Sequence, residues 1–561
     1  MVNQDYDSIN PTTEKRHRQL LEALDRNGRA EDFENIVKLL SPPPDIFQFA
    51  PLRALTNVKI GIIGAGLAGL CAAHELRKLG AEIAIYDAEK ERIGGRVFTY
   101  YFDRSKQYYG EFGSSCIPVS HETAWHYIDL FQLNTESLPS LRYNNFIYAN
   151  GARLRQDQTG ENITDQLYPY YELTEKERNT PWNKIAHFAA NTMLNGLSPQ
   201  LRTEILQILP EYSEEYAAIT RLSNRRVFEL LGLSQGAIDL LSAVDPFIGS
   251  ILNVSHDKLL SSSYSLDFMN QYCIREGMVQ LPYAFYDSLM SDDPLEFEPP
   301  SYFLGKVDFR FGQAVTGISE NLHTGQVDLL SRNPKGAESS EGFDYVICAI
   351  PFSTLREVSM SPFFSNRKLQ AIKELNYIDA QKTISLCKKR FWEEDTDSGN
   401  MNGGISVTDL PIQSILYPPD HITCSDQEES CSSDVPGVLV MSSNLGQDSL
   451  RVSNQAVNRY YQLIKHNVEE VHGLPEDYLD SIIQSHQTVH WSSENWFRGA
   501  FYMGYPGQKM NFAYSVQQPE YHGKVFFAGE HTSTKPGWIQ GALSSGKSAA
   551  NQVAMRAAQT K

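Results

Sequence analysis

No stretch of the 561-residue chain approaches the ~20 uninterrupted apolar residues that cross a bilayer. The opening MVNQDYDSINPTTEKRHRQ lacks the apolar centre of a secretory signal. Both absences point to a soluble, cytoplasmic protein with no membrane partner. Basic charge is also short: 49 Lys and Arg stand against 68 Asp and Glu, a formal net charge of −19. Such a surface repels a phosphate backbone, which argues against a nucleic-acid partner. Cysteine is sparse, with seven residues in an odd, scattered set that makes no disulfide framework, so reduced thiols are expected. Cys424 and Cys431 fall in an acidic, serine-rich stretch, 420 to 437, that reads as a solvated surface loop rather than a metal site.

What is present is ordinary globular material, 41% hydrophobic and 21% charged, on a chain long enough for two or three domains. Residues 12 to 40 carry apolar side chains at helical spacing until Ser41-Pro-Pro-Pro44 stops them. This amphipathic extension is expected to pack on the body. Val58 to Ile63 is an apolar run, Leu67 to Leu79 a helical one and Glu82 to Asp87 a second run, which read together as β-α-β. The stretch from about 165 to 262 is helix-rich. From about 300, β-branched and aromatic segments recur between turn residues (VDFRF, QVDLLS, FDYVICAI, KTISLCKKRF, GVLVMSS).

Gly64-Ala-Gly66-Leu-Ala-Gly69 follows the first run directly. In a dinucleotide unit the first glycine allows the tight turn, the second lets backbone approach a pyrophosphate and the third lets helix and strand pack closely. The helix N-terminus then faces phosphate. Asp87 ends the second run, where an acid accepts from ribose hydroxyls. Arg92-Ile-Gly94-Gly95-Arg96 resembles the R-x-G-G-R motif that follows this unit in glutathione-reductase-like FAD proteins. Near the other terminus, Val525-Phe-Phe-Ala-Gly529-Glu530, Gly537-Trp538-Ile539-Gln540-Gly541-Ala542 and a helix from Ser545 resemble the C-terminal flavin motif of the amine oxidases.

With both motifs read, the chain resembles the flavin amine oxidase family over roughly residues 57 to 555, closest to its L-amino-acid-oxidase branch. Supporting matches, in order, are Glu111 to Pro118, Glu276 to Pro282, Lys382 to Trp392, Thr408 to Pro411 and His490 to Phe501. The resemblance implies an α+β fold: a glutathione-reductase-like FAD-binding (Rossmann) domain, a mixed-sheet substrate domain and a helical insertion. Expected boundaries are a helical extension 1-56; an FAD domain from 57-116, 266-376 and 520-561; a substrate domain from 117-164 and 377-519; and a helical domain 165-265. It implies FAD contacts from Gly64, Gly66, Gly69, Asp87, Gly94, Gly95, Arg96, Val315, Gly529, Glu530 and Ile539. FAD is expected to be non-covalent, because the cysteine that tethers flavin in monoamine oxidases lies shortly before the C-terminal motif and no cysteine follows Cys431.

For chemistry, the resemblance places Lys382 where the family lysine holds a water near the flavin. It places Gly537 and Trp538 where the substrate amine is received, and His490 and Trp491 on the pocket wall. One departure stands out. The branch's carboxylate-binding arginine, in a G-x-M-R-x-P segment, is replaced here by Cys116, and the tyrosine that assists it aligns with Ser442. Guanidinium geometry suits a bidentate carboxylate. Its loss leaves either another base, such as Arg142, Arg225 or Arg275, or a substrate without a free carboxylate. The implied activity is oxidation of an amine-bearing carbon to an imine with O₂ reduced to H₂O₂. A flavin desaturase or cyclising oxidase of secondary metabolism is the second reading, and a non-catalytic FAD-bound interaction protein the third. Homodimers are common in the resembled branch.

Overall fold

The structure is a computed structural model, and it describes residues 10–138, 144–297, 301–418, 432–453, 455 and 457–560. Cys424, Cys431 and Arg142 lie outside the described residues. Among those described, no helix is long and apolar enough to cross a membrane.

The apolar runs at 58 to 63 and 82 to 87 form β1 (Lys59–Ile63) and β2 (Glu82–Asp87), joined by α1 (Leu67–Arg77). Three later segments complete a parallel sheet: β3 (Val307–Phe311), β4 (Tyr345–Cys348) and β5 (Val525–Phe527), in the order β3-β2-β1-β4-β5. Parallel strands are covered on both faces, which is why β1 and β4 read as nearly unbroken Ile, Val and Cys runs rather than alternating ones. Every residue of α1 is buried, and α2 (Ile539–Thr560) lies against it. Two glycines permit the close packing of α1, one against the turn after β1 and one against α2. A Cβ on Gly69 would sit 2.0 Å from the Gly64 carbonyl oxygen, and one on Gly546 would sit 2.3 Å from that of Ala68. The two ends of the chain are thereby packed as one layer.

A seven-stranded mixed sheet forms the second body, in the order 483–490, 380–387, 437–445, 414–417, 404–408, 146–149, 152–155. A smaller sheet (314–321, 326–332, 338–343, with 359–361) packs on the FAD-type layer. Short helices fill Glu161 to Tyr264. These elements give the amine-oxidase arrangement of a Rossmann layer, a mixed sheet and a helical part.

The N-terminal helices Thr13–Arg26 and Phe33–Leu40 pack on the body rather than standing free. Leu20, Ala23, Leu24, Ile36 and Leu40 are buried. Arg29 donates to the carbonyls of Ser263 (2.7 Å) and Tyr264 (3.2 Å), and Gln540 donates to that of Leu40 (2.7 Å). A buried leucine truncated to alanine costs roughly 2–5 kcal/mol. Leu24→Ala is therefore expected to lower the unfolding free energy by about that much in denaturant titration, while the exposed Glu22→Ala changes it by less than about 0.5 kcal/mol.

Candidate functional site

The strand ends of the Rossmann layer, the 380–387 strand and the helical part enclose one cavity of about 1060 Å³. It is lined at one end by Gly64, Gly66, Asp87, Val315 and Arg96, and at the other by Cys116, Lys382, Phe268 and Trp538. Gly94, Gly95, Gly529, Glu530, Gly537 and Ile539 line it between. Of the residues expected to touch FAD, Gly69 stands behind the wall, in the helix-to-strand contact described above.

These residues fit a dinucleotide. A Cβ built on Gly66 meets nothing within 4 Å, so a bare Cα faces the open cavity where α1 begins. An anion there meets the free N–H groups and positive end of the helix. Asp87 accepts from the N–H groups of Ala65 (2.7 Å) and Glu89 (2.8 Å), and so holds the glycine turn. Burial nevertheless lifts its carboxyl to about 6. A carboxylate has about four lone-pair sites, which leaves capacity for ribose hydroxyls.

Glu530 is the hub of the middle. Arg96 donates to Oε1 at 2.7 Å, Gly537 N–H to Oε2 at 2.9 Å, and Tyr502 N–H reaches both oxygens at 3.2 and 3.3 Å. Burial alone would raise this carboxyl, but the Arg96 guanidinium, His531 and the Gly537 N–H outweigh it and hold it below the usual range. The Arg96 fork also donates to the Ala500 carbonyl at 2.8 Å.

At the reaction end, Lys382 donates to the carbonyls of Glu111 and Gly113, each at 3.2 Å. An ammonium has three donors, so one remains for a water or ligand in the cavity. Burial lowers the Lys382 ammonium, opposed by the Glu111 carboxylate. Burial in turn raises Glu111 to about 7, in spite of N–H donation from Met278 and the Thr99 hydroxyl. Trp491 Nε1 donates to the Phe112 carbonyl at 3.2 Å, tying the same segment from the next strand. Trp538 lies edge-on to His121 (4.9 Å) and 6.0 Å from Phe268, which contacts Phe247 at 4.9 Å. The Gly537 Cα packs on Phe501, whose ring would stand 3.0 Å from a Cβ there. The outcome is an apolar, largely aromatic slot beside Lys382.

Several readings from sequence are redirected. Ser442 is fully buried, donates to the Gln381 side chain at 3.1 Å and does not line the cavity. The register pairs Lys382 with Ser443, so Ser443 shares its face and lines the cavity instead. His490 is not on the wall; it pairs with Asp379 at 2.8 Å. Arg225 bonds Gln235 (2.9 Å) at the surface, and Arg275 stands half-exposed 3.6 Å from Glu136; neither lines the cavity. Cys116 does line it, with burial pushing its thiol up to about 11, so it carries no charge at neutral pH. Two cations and an acid that sequence reasoning passed over are there: Lys258, Lys535 and Asp267. Lys535 donates to Asp267 (2.5 Å) and Ser265 (2.8 Å), and His121 meets the other Asp267 oxygen at 3.2 Å. Lys535 was legible as a cation inside the C-terminal motif, two residues before Gly537; Lys258, one lysine of an amphipathic helix, gave no signal.

Removing one partner of a buried ion pair costs roughly 3–5 kcal/mol because the other charge is stranded. Arg96→Met and Glu530→Gln are each expected to purify with less than half the wild-type flavin per chain by absorbance. The double variant should lose less than the two single losses combined. Full flavin content in both single variants would refute the hub.

The comparisons agree with this geometry. The family model described as flavin containing amine oxidoreductase matches residues 67–554. The protein YobN of Bacillus subtilis (strain 168) is 29% identical over 499 residues, covering 88% of this chain and 94% of its own. The L-amino-acid oxidase of Crotalus adamanteus is 25% identical over 508 residues, covering 90% and 88%. Among solved structures, a triple mutant of putrescine oxidase superposes with TM-score 0.65 and 17% identity, over 89% of this chain and 99% of that one. Cyclohexylamine oxidase from Brevibacterium oxydans IH-35A does so with TM-score 0.64 at the same identity and coverage. A cavity built from both ends of the chain around a dinucleotide cradle, and a family match over most of its length, establish that this chain belongs to the flavin-containing amine oxidoreductases and is an FAD-dependent enzyme.

Proposed function

We propose that the enzyme oxidises the carbon–nitrogen bond of an L-amino acid, or of an amine derived from one, to an imine, with O₂ reduced to H₂O₂. The single observation that carries this reading is the shared cavity. It runs from the Gly66 and Asp87 cradle to a slot lined by Lys382, Gly537 and Trp538. The relatives named as L-amino-acid oxidases support the substrate class. FAD, when bound, accepts the hydride and returns the electrons to O₂.

The chain's own part is positioning and charge. Trp538, Phe268 and Phe247 form a wall against which an apolar substrate side chain is desolvated and held. That restricts the amine-bearing carbon to a narrow range of approach, which is worth several kcal/mol of barrier. The unspent N–H of Lys382 holds a water or developing anion in place. Its lowered basicity lets it release a proton more readily than a surface lysine would. Glu530 fixes Gly537 through the backbone, so the slot and the cradle keep one spacing.

A second reading, a desaturase or cyclising oxidase, is favoured by one feature, the neutral Cys116 where a guanidinium is expected. Ammonia release separates the two: the first reading yields it on imine hydrolysis and the second does not.

A peroxide-coupled screen of the purified holoenzyme against common L-amino acids, their methyl esters and the matching decarboxylated amines is expected to show turnover with release of ammonia. Peroxide without ammonia would favour the second reading, and no peroxide from any amine would overturn the first. Lys382→Met should keep its FAD and its anaerobic reduction by substrate, but reoxidise in air roughly 10²-fold more slowly. Unchanged reoxidation would remove Lys382 from the mechanism.

A further inference from the structure

The cavity wall holds a cation whose nearest acid stands 3.8 Å away. Arg96 is matched by Glu530 at 2.7 Å, Arg332 by Glu338 at 2.6 Å and Lys535 by Asp267 at 2.5 Å, while Lys382 is held by two backbone carbonyls. Lys90 is exposed, near Gly312 at the far end with Asp87 and Val315. Lys258 differs from all of these. Its side chain is 11% exposed, and its ammonium meets no hydrogen-bond acceptor among the described residues. Asp257 stands 3.8 Å away, beyond hydrogen-bond reach, and the Tyr502 ring centroid lies 4.5 Å beneath. Buried ammonium groups are ordinarily paired, because three unspent donors and a desolvated charge are costly. Desolvation by burial lowers the Lys258 ammonium, with Asp257 opposing it.

The placement of Lys258 is informative. It lies on the helix His256–Tyr264, and Ser261, one turn along the same face, lines the cavity too and bonds Lys535 through its hydroxyl (3.2 Å) and carbonyl (3.3 Å). Lys535 stands two residues before Gly537 and three before Trp538. Lys258 therefore lines the same cavity as the Gly537-Trp538 slot, one whose position 116 offers only a neutral thiol. We infer that Lys258 binds a carboxylate of the substrate and is the specificity-determining cation of this enzyme, in the role left vacant at Cys116. This rests on the amine-oxidising reading for the identity of the ligand, although the carboxylate site itself does not depend on turnover. An ammonium acts as a point charge rather than a planar fork, so it accepts either an α-carboxylate or one on the substrate side chain.

The test uses the FAD-loaded enzyme and benzoate, a carboxylate without an amine, followed by the change it causes in the flavin absorbance spectrum. Wild type is expected to titrate saturably, Lys258→Arg to keep binding within a few-fold, and Lys258→Met to bind at least tenfold more weakly at equal flavin content. Should Lys258→Met fail to retain flavin, Lys258→Gln makes the same comparison. Turnover then separates the two sources of carboxylate. If Lys258→Met loses the preference for L-phenylalanine over phenethylamine, the α-carboxylate is the ligand. If it loses only a preference for L-glutamate over L-leucine, the side-chain carboxylate is. Benzoate binding that is absent from wild type, or equal in wild type and Lys258→Met, overturns the assignment. A wild type that binds benzoate through Lys258 but is reduced by no amine leaves the anchor standing and removes the oxidase reading.

Discussion

The ion pair between Arg96 and Glu530 joins residues 434 positions apart, and the enzyme's geometry hangs on it. Arg96 ends the R-x-G-G-R motif that follows the first β-α-β unit, and Glu530 lies in the C-terminal motif. Glu530 also receives the N–H groups of Gly537 and Tyr502, while Arg96 reaches the Ala500 carbonyl. Three separated segments thus converge on one carboxylate. Two nearly buried charges repay their desolvation only when their remaining hydrogen bonds are satisfied, and here the backbone satisfies them. The close contact of α1 with α2, which Gly546 permits, brings the same two termini together by packing. Electrostatics and packing act on one joint.

From that joint the cavity divides by chemistry. Toward Gly66 and Asp87 it offers backbone N–H groups, a helix end and an acid, the means to hold a phosphate and a ribose. Toward Lys382 and Trp538 it offers aromatic faces and a few buried cations. At the same end Cys116 presents a neutral thiol to the cavity. Charge reappears elsewhere on the wall, on Lys258 and Lys535, with Asp267 neutralising the second. The helix His256–Tyr264 brings Lys258 to that wall.

Much of this was legible before the fold. The glycines at 64, 66 and 69, the Arg92 to Arg96 motif and the Gly529 to Ala542 segment carry their chemistry in fixed spacing, because each acts through local backbone geometry. Of the parallel strands, β1, β2 and β4 were legible as apolar runs. What was not legible depends on register and on contacts distant in sequence. Ser442 and Ser443 differ by one residue, and in a strand one residue exchanges the faces. Arg225 and Arg275 were reasonable bases by charge alone, yet their elements present them to the surface. Lys258 looked like any lysine of an amphipathic helix until that helix was seen to roof a cavity. The resemblance puts His490 on the wall together with Trp491, but alternation along the strand end sends His490 to Asp379.

The central claim is that one cavity holds both the flavin and the amine, so that electrons pass directly between them. Anaerobic mixing of the purified, FAD-containing enzyme with L-amino acids and their decarboxylated amines, followed by the flavin absorbance, tests it most directly. The account predicts that the oxidised flavin band bleaches in a single saturable phase with at least one amine, and returns when air is admitted. A flavin that stays oxidised with every amine, while a chemical reductant bleaches it normally, would contradict the account.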